Sequence, residues 1–392
     1  MRFGAFITDG HWRKTLAAVR ALGRKGVGVS VGETTWLATA AFSRHCRQRL
    51  VYPSPIHQPG DFMDWLTEHL RRRRYRLLLP MEDATICLAA KYREDLARHT
   101  YVPVVSHSRM QTAQRKDKVL KLAARLGIPM PRTWFVEDVN EIYTLKNVLP
   151  YPVVIKPRQG SGAMGVAYVS DAHSFVSAYL GVHKRFALPL IQERIPAHGP
   201  GLGASFLMDE CSTVKAVFTH QRLREYPVSG GASTLRISIR RRDIQELGAA
   251  LLKALDWFGV AMVEFKLDPR DGEPKLMEIN PRFWGSLALA EPCGVNFPHL
   301  LYRMAGGESF APVTAWRTGI RCRWLLPGDL LHFIHNPERR RLLWDFFRLR
   351  QAGLHYDILS LNDPLPVLGR LLMPLTLVYD KDMKMRMKLR KQ

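Results

Sequence analysis

Cysteine is scarce and scattered in this 392-residue chain: the five residues stand at positions 46, 87, 211, 293 and 322, odd in number and without a C-x-x-C pair. That spacing argues against a disulfide-stapled scaffold and against a thiolate zinc site, and it makes a reducing cytosol the expected compartment. Long apolar runs are also lacking. Nothing approaches the roughly 18 consecutive apolar residues of a membrane span. The opening stretch from Met1 to Gly10 is too short in apolar length for a secretory leader and ends in a turn. Acidic residues are in deficit, with 35 Asp and Glu against 58 Lys and Arg, a net charge of +23. Such a field attracts polyanions, phosphorylated substrates or anionic membrane surfaces, and says nothing by itself about fold. The run Arg71-Arg72-Arg73-Arg74-Tyr75-Arg76 closes an expected helix over 61–74 and reads as its solvated C-terminus, so no nucleic-acid partner is expected.

What is present is an ordinary globular composition, 46% hydrophobic and 24% charged, long enough for two or three domains. Strand patterns at 3–8, 27–31 and 77–80 alternate with helical patterns at 12–25 and from Asp83, an α/β arrangement with an open, mostly parallel sheet over 1–107. A helix over 115–126 stops at Gly127, where Ile128-Pro129-Met130-Pro131 forbids continuation. From about 133 to 310 the alternation is less regular and suits α+β subdomains. The stretch 311–392 is rich in Leu, Trp and Arg and is expected to be mainly helical.

Two segments carry chemistry. Val263-Glu264-Phe265-Lys266 and Lys275-Leu276-Met277-Glu278-Ile279-Asn280 flank a turn-forming stretch, Asp268 to Pro274, and so predict a β-hairpin. Period-two alternation puts Glu278 and Asn280 on one face with Glu264 on the neighbouring strand. Two carboxylates and an amide oxygen make a hard-oxygen site suited to Mg²⁺ that keeps water and phosphate ligands, with Arg282 at the strand end as a fixed cation. A surface hairpin with scattered polar residues is the plainer alternative. The second segment runs from Val153-Val154-Ile155-Lys156 through Gly160, Ser161, Gly162 and Gly165 to Val166-Ala167-Tyr168-Val169. G-x-G-x-x-G here is followed by a strand, whereas a dinucleotide loop must open a helix. The lysine precedes the glycines, unlike the order in protein kinases, and no G-x-x-x-x-G-K-[ST] motif occurs there. A lysine strand, a glycine loop and a returning strand remain, able to fold backbone N–H groups over a polyphosphate.

Taken in order, the lysine strand, the Gly-rich hairpin, the Ile191-Gln192-Glu193-Arg194-Ile195 strand end and the Glu264…Glu278-x-Asn280-x-Arg282 set resemble the ATP-grasp superfamily over about residues 1–310. The nearest flavour is the carbamoyl-phosphate-synthetase-like and biotin-carboxylase-like ligases. The resemblance implies a Rossmann-like domain over 1–107, a small ATP-grasp subdomain over 108–190, a large one over 191–310 and a basic extension over 311–392. It implies ATP and Mg²⁺ as cofactors, with Mn²⁺ a possible substitute. Lys118 and Lys156 match phosphate-binding lysines, with Gly160, Ser161 and Gly162 in the covering loop. Gln192, Glu193, Arg194 and Ile195 match the adenine-side hinge. Glu264, Glu278 and Asn280 match the metal ligands, Arg282 matches the arginine facing the transferring group, and Arg222 and Arg224 stand where related ligases place basic residues over the reacting anion. Lys118 as a solvated helix lysine, and Arg222 and Arg224 as sheet-edge charges, are the alternatives.

The implied activity is that of an ADP-forming carboxylate–amine ligase, with amino acids or a cell-envelope or exopolysaccharide precursor as candidate substrates. The rival is a nucleotide-responsive scaffold that binds ATP without turnover. A cytoplasmic protein acting on small molecules, open to homo-oligomer formation, fits either. At the C-terminus, apolar residues 371–378 stand before Lys381, Lys384, Arg386, Lys388, Arg390 and Lys391. That combination suits either peripheral contact with an anionic membrane or a cap on the ligase domain with a solvated basic end.

Overall fold

A computed structural model describes residues 4–160, 165–228, 230–376 and 380. The first sheet has four parallel strands, β1 (Gly4–Ile7), β2 (Val29–Glu33), β3 (Cys46–Val51) and β4 (Tyr75–Leu79), in the order β3-β2-β1-β4. Ala5, Phe6 and Ile7 are fully buried in succession, as a parallel strand covered on both faces requires. The strand order reverses direction at β1, so the loops after β1 and β4 border the crevice where open α/β sheets receive ligands. Sequence alternation missed β3, because Cys-Arg-Gln-Arg-Leu-Val is too polar to read as a strand and sits at the sheet edge.

The second sheet is small and antiparallel: β5 (Thr133–Trp134), β6 (Val153–Lys156), β7 (Ala167–Val169) and β8 (Leu190–Glu193), ordered β5-β8-β6-β7. Strands β6 and β7 form the expected glycine hairpin, with Val153 opposite Val169. This sheet and the Ala172–His183 helix close around their own core of Val153, Ile155, Phe175, Tyr179 and Ile191.

The third sheet has seven strands: β9 (Gly201–Met208), β10 (Val214–Tyr226), β11 (Ala232–Ile239), β12 (Gly259–Leu267), β13 (Pro274–Asn280), β14 (Arg321–Arg323) and β15 (Leu354–Tyr356). Their order is β13-β12-β9-β10-β11-β14-β15. One continuous core joins this sheet to the first. The mainly helical expectation for 311–392 is met by helices Leu330–His335, Arg339–Phe347 and Pro366–Thr376, and β14 and β15 add two strands that it did not include. Arg-Cys-Arg carries no apolar alternation. It is held as a strand by neutralisation, Arg323 pairing with the buried Asp329 at 2.6 Å.

The segment after β15 clamps the helix that follows β1, Arg13–Gly23, and the loop before β3. Asp357 accepts from Arg13 at 3.1 Å and from Arg236 at 2.9 Å, while Asp363 takes Arg20 at 2.8 Å, the Ser43 hydroxyl at 2.7 Å and the Arg44 N–H at 2.8 Å. Among the described residues no helix is long and apolar enough to cross a membrane. The basic stretch 381–392 lies outside the described residues.

Candidate active site

Strands β12 and β13 pair so that Glu264 stands directly opposite Glu278, and Asn280 shares their face two residues on. The Asn280 amide donates to Glu264 at 2.9 Å, leaving its carbonyl oxygen for another partner. Arg222, from β10, forms an ion pair with Glu264. Lys116, at the start of the Lys116–Arg125 helix, reaches Glu278 at 2.9 Å and donates to the Gly160 carbonyl at 2.7 Å. One ammonium therefore ties the described end of the glycine loop to the carboxylates of the large sheet.

Burial pushes both carboxyls toward higher pKa, and the surrounding cations decide the outcome. At Glu278, Lys116, Lys156 and Arg222 more than offset burial and hold the pKa below the ordinary value. At Glu264, burial and the neighbouring carboxylates Glu278 and Glu225 outweigh Arg222, so its pKa is raised. Among the described residues no three His, Cys, Asp or Glu side chains cluster as a metal cage. Two carboxylates and an amide oxygen suit Mg²⁺, which keeps water and phosphate in most of its coordination positions.

Lys156 ends β6 and donates to Gln192 at 2.8 Å; Gln192 is itself fixed by donating to the Thr133 hydroxyl at 2.8 Å. Burial, reinforced by the nearby Lys116 charge, lowers the Lys156 ammonium to about 8, against a smaller raising effect of Glu278. Gly160 adopts φ +122°, a conformation open to glycine, and a Cβ there would meet nothing within 4 Å. Ser161 and Gly162 lie outside the described residues. At the end of β8, Glu193 accepts the Arg132 N–H at 2.9 Å and pairs with Arg270 at 3.2 Å; just beyond the strand, Arg194 lies 5.0 Å above the Tyr168 ring and Ile195 is buried.

Arg282 is buried and makes a bidentate contact with Asp83 at 2.8 and 3.2 Å, at the start of the Asp83–Lys91 helix. Burial works against its charge, but Asp83, Glu82 and Glu278 together raise its pKa. Beside it, Lys14 pairs with Glu82 at 2.6 Å and donates to the Phe283 carbonyl at 3.1 Å. The loop after β4 is thus fastened to the end of the β12–β13 hairpin. Lys14, Glu82 and Asp83 carry no motif that would single them out in the sequence.

Two residues stand elsewhere than the sequence suggests. Lys118 is exposed, and Lys116 takes the place beside the carboxylates. The reason is helical phase: Lys116 shares a stripe with the buried Leu120 and Ala123 at i+4 and i+7, and Lys118, about 200° further round, faces solvent. Asp117 between them is held by Arg115 at 2.6 Å and Arg158 at 3.1 Å. Arg224 does not join Arg222. A register shift between them puts Arg222 opposite Arg236 but Arg224 opposite Leu235, on the other face, where Arg224 pairs with Asp345 and, at 2.9 Å, with the buried Asp329.

Residues 211–326 match the family model described as ATP-grasp in the biosynthetic pathway with Ter operon. The D-aspartate ligase of Enterococcus faecium (strain Aus0004) is 24% identical over 225 residues, 53% of each chain, so the match spans about half the length of that relative. Similar solved structures include the biotin carboxylase domain of Hydrogenobacter thermophilus 2-oxoglutarate carboxylase, with a TM-score of 0.65 and 15% identity, covering 82% of this chain and 74% of that one. The L-amino acid ligase of Bacillus licheniformis gives 0.59 and 18%, covering 78% and 75%. N5-carboxyaminoimidazole synthetase of Staphylococcus aureus gives 0.63 and 12%, covering 82% of both. With its parallel first sheet, small glycine-hairpin sheet and large antiparallel sheet, the chain has the ATP-grasp fold.

Proposed function

We propose that this protein is an ATP-dependent, ADP-forming ligase that activates a carboxylate as an acyl phosphate and joins it to an amine. The observation that carries the reading is the convergence of Lys116 and Arg222 on the facing Glu264 and Glu278, with Lys156 and Arg282 close enough to shift the local charge balance. Cations and carboxylates so interleaved suit a polyphosphate held through metal on one side and ammonium groups on the other. In this reading residues 1–107, 108–190, 191–310 and 311–392 are the Rossmann-like domain, the two ATP-grasp subdomains and a C-terminal extension.

Glu264, Glu278 and Asn280 would hold Mg²⁺, or Mn²⁺ in its place, and the bound ion would offset phosphate charge. Lys116 and Lys156 bind the phosphates, Gln192 orients Lys156, and Glu193 to Ile195 border the base. Arg282, aimed by Asp83, holds an oxygen of the transferring group. The substrate carboxylate oxygen bonds to the γ-phosphorus as the bond to the β,γ-bridging oxygen breaks, releasing ADP. The amine nitrogen then bonds to the acyl carbon, inorganic phosphate leaves, and the ammonium proton passes to solvent. An amino acid or a cell-envelope or exopolysaccharide precursor is the proposed substrate class; the amino-acid option is in keeping with the names of two similar proteins, a D-aspartate ligase and an L-amino acid ligase. The cytosol, where ATP is available, is the proposed compartment.

The test is nucleotide analysis with purified protein, ATP and Mg²⁺ against pooled carboxylates and amines. ADP and phosphate are expected, dependent on both pools, and Glu278→Gln removes turnover while leaving the unfolding midpoint near that of the parent. AMP with pyrophosphate, or full turnover in Glu278→Gln, would refute the assignment.

A further inference from the structure

We infer that the face built by the Arg339–Phe347 and Pro366–Thr376 helices docks on an anionic lipid bilayer. The inference stands apart from the ligase reading. Trp344 is 80% exposed, Phe347 63%, Leu371 62% and Leu375 56%, with Leu368 on the second helix and Leu365 just before it also exposed. Residues 365, 368, 371 and 375 recur at the spacing of one helical stripe, while another side of that helix packs Gly369 against Phe42 and Thr39, before β3. A Cβ at Gly369 would come within 2.6 Å of the Phe42 ring, so the docked side is committed and the leucine side faces outward. Tyr356 links the two segments: it donates to the Leu349 carbonyl at 2.6 Å just beyond the first helix, and with Leu326 and Leu371 it lines a hollow beside the second.

Charge selects the occupant. Arg339, Arg340, Arg341, Arg348 and Arg350 are exposed on the segment that carries Trp344 and Phe347; of its acidic neighbours, Asp345 is engaged by Arg224 and Glu338 pairs with Arg341 at 3.6 Å, which leaves the segment with a net positive charge. A second copy of a chain of net charge +23 would bring these arginines against one another. An anionic bilayer accepts both halves of the surface: the headgroups take the guanidinium groups, and the boundary with the acyl chains takes the Trp, Phe and Leu side chains.

Cosedimentation of the full chain with phosphatidylcholine vesicles, alone or mixed with phosphatidylglycerol, tests the inference. Association is expected with the mixed vesicles, weakening as salt shortens the Debye length from about 10 Å at 0.1 M to about 3 Å at 1 M. The double variant Trp344→Ser, Leu371→Ser should lower the partition coefficient by about tenfold or more, with nucleotide affinity unchanged. A truncation after residue 380 isolates the tail. Absence of vesicle binding overturns the inference, as does a double variant that partitions like the parent while the truncation does not, which would assign binding to the tail. Lipid-free dimers abolished by the double substitution, without vesicle binding, would give the face to a second copy and overturn it equally.

Discussion

The depressed Lys156 ammonium leads to a sharp expectation about nucleotide affinity. Its pKa of about 8 in the free protein arises from burial and from Lys116 nearby. A polyphosphate placed beside it would favour the charged form and raise that pKa, so binding takes up a proton wherever Lys156 is partly neutral. Below pH 8 the group is already charged and affinity is flat. Above pH 8 affinity falls as pH rises, until the pKa of the complex is reached. If that bound value exceeds 9, linkage from a free pKa of about 8 gives roughly a tenfold loss of affinity between pH 7 and pH 9. Lys156→Arg keeps its charge across that range and should flatten the curve. Lys14, also lowered to about 8 by burial and by Arg282, is engaged by Glu82 and is unchanged in both proteins, so the difference between the two profiles isolates Lys156. Titration calorimetry with Mg-ADP in buffers of different ionisation enthalpy reads both the affinity and the proton uptake. Parallel profiles for the parent and Lys156→Arg, or no uptake near pH 8, would refute the reasoning.

Lys116→Ala should weaken nucleotide binding about tenfold or more, from loss of a charge-assisted contact, whereas Lys118→Ala should leave it near the parent value. A fluorescent-nucleotide competition assay separates them, and the reverse order would restore Lys118 to the site. Asp357→Ala strands the buried guanidinium of Arg236 and the part-buried one of Arg13 and should cost about 3–5 kcal/mol, read from denaturant unfolding; a cost within error of zero would contradict the clamp. The folded-state pKa of Asp357 is lowered, because Arg236 and Arg13 outweigh its burial. Its contribution is therefore complete above the unfolded carboxylate value near 4 and is lost as pH falls through the lower folded value. The acid limb of the stability curve should shrink in Asp357→Asn.

Local pattern made much of this architecture readable. The turn formers at 268–274 and the alternation on either side predict the hairpin of β12 and β13, and with it the facing Glu264 and Glu278. Apolar Val153 to Ile155 and Ala167 to Val169 likewise announce the glycine hairpin. Failures occur where long-range pairing replaces local pattern. The strand character of Arg321 to Arg323 depends on Asp329 and on partners in β11 and β15, none adjacent in sequence. The phase that exposes Lys118 is set by which residues of its helix meet the core. The register shift between Arg222 and Arg224 turns Arg224 to the other face, and nothing in Arg-Leu-Arg marks that shift. The contact of Arg282 with Asp83 spans 199 positions and is visible only once the domains have met.

The clamp at Asp357 and Asp363 also has a consequence in time. Arg13 and Arg20 lie on the helix after β1, yet their carboxylate partners follow 344 and 343 residues later. At roughly 5–20 residues per second of synthesis, an interval of roughly 20–70 s separates the emergence of these cations from that of the groups that neutralise them. During that interval the first sheet can assemble, since β1 to β4 are complete by residue 79, but the outer side of its first helix cannot be sealed. The nascent chain therefore displays that basic side to solvent, and stopping translation just before residue 357 should yield a protein whose N-terminal helix exchanges amide hydrogens faster than the sheet beneath it.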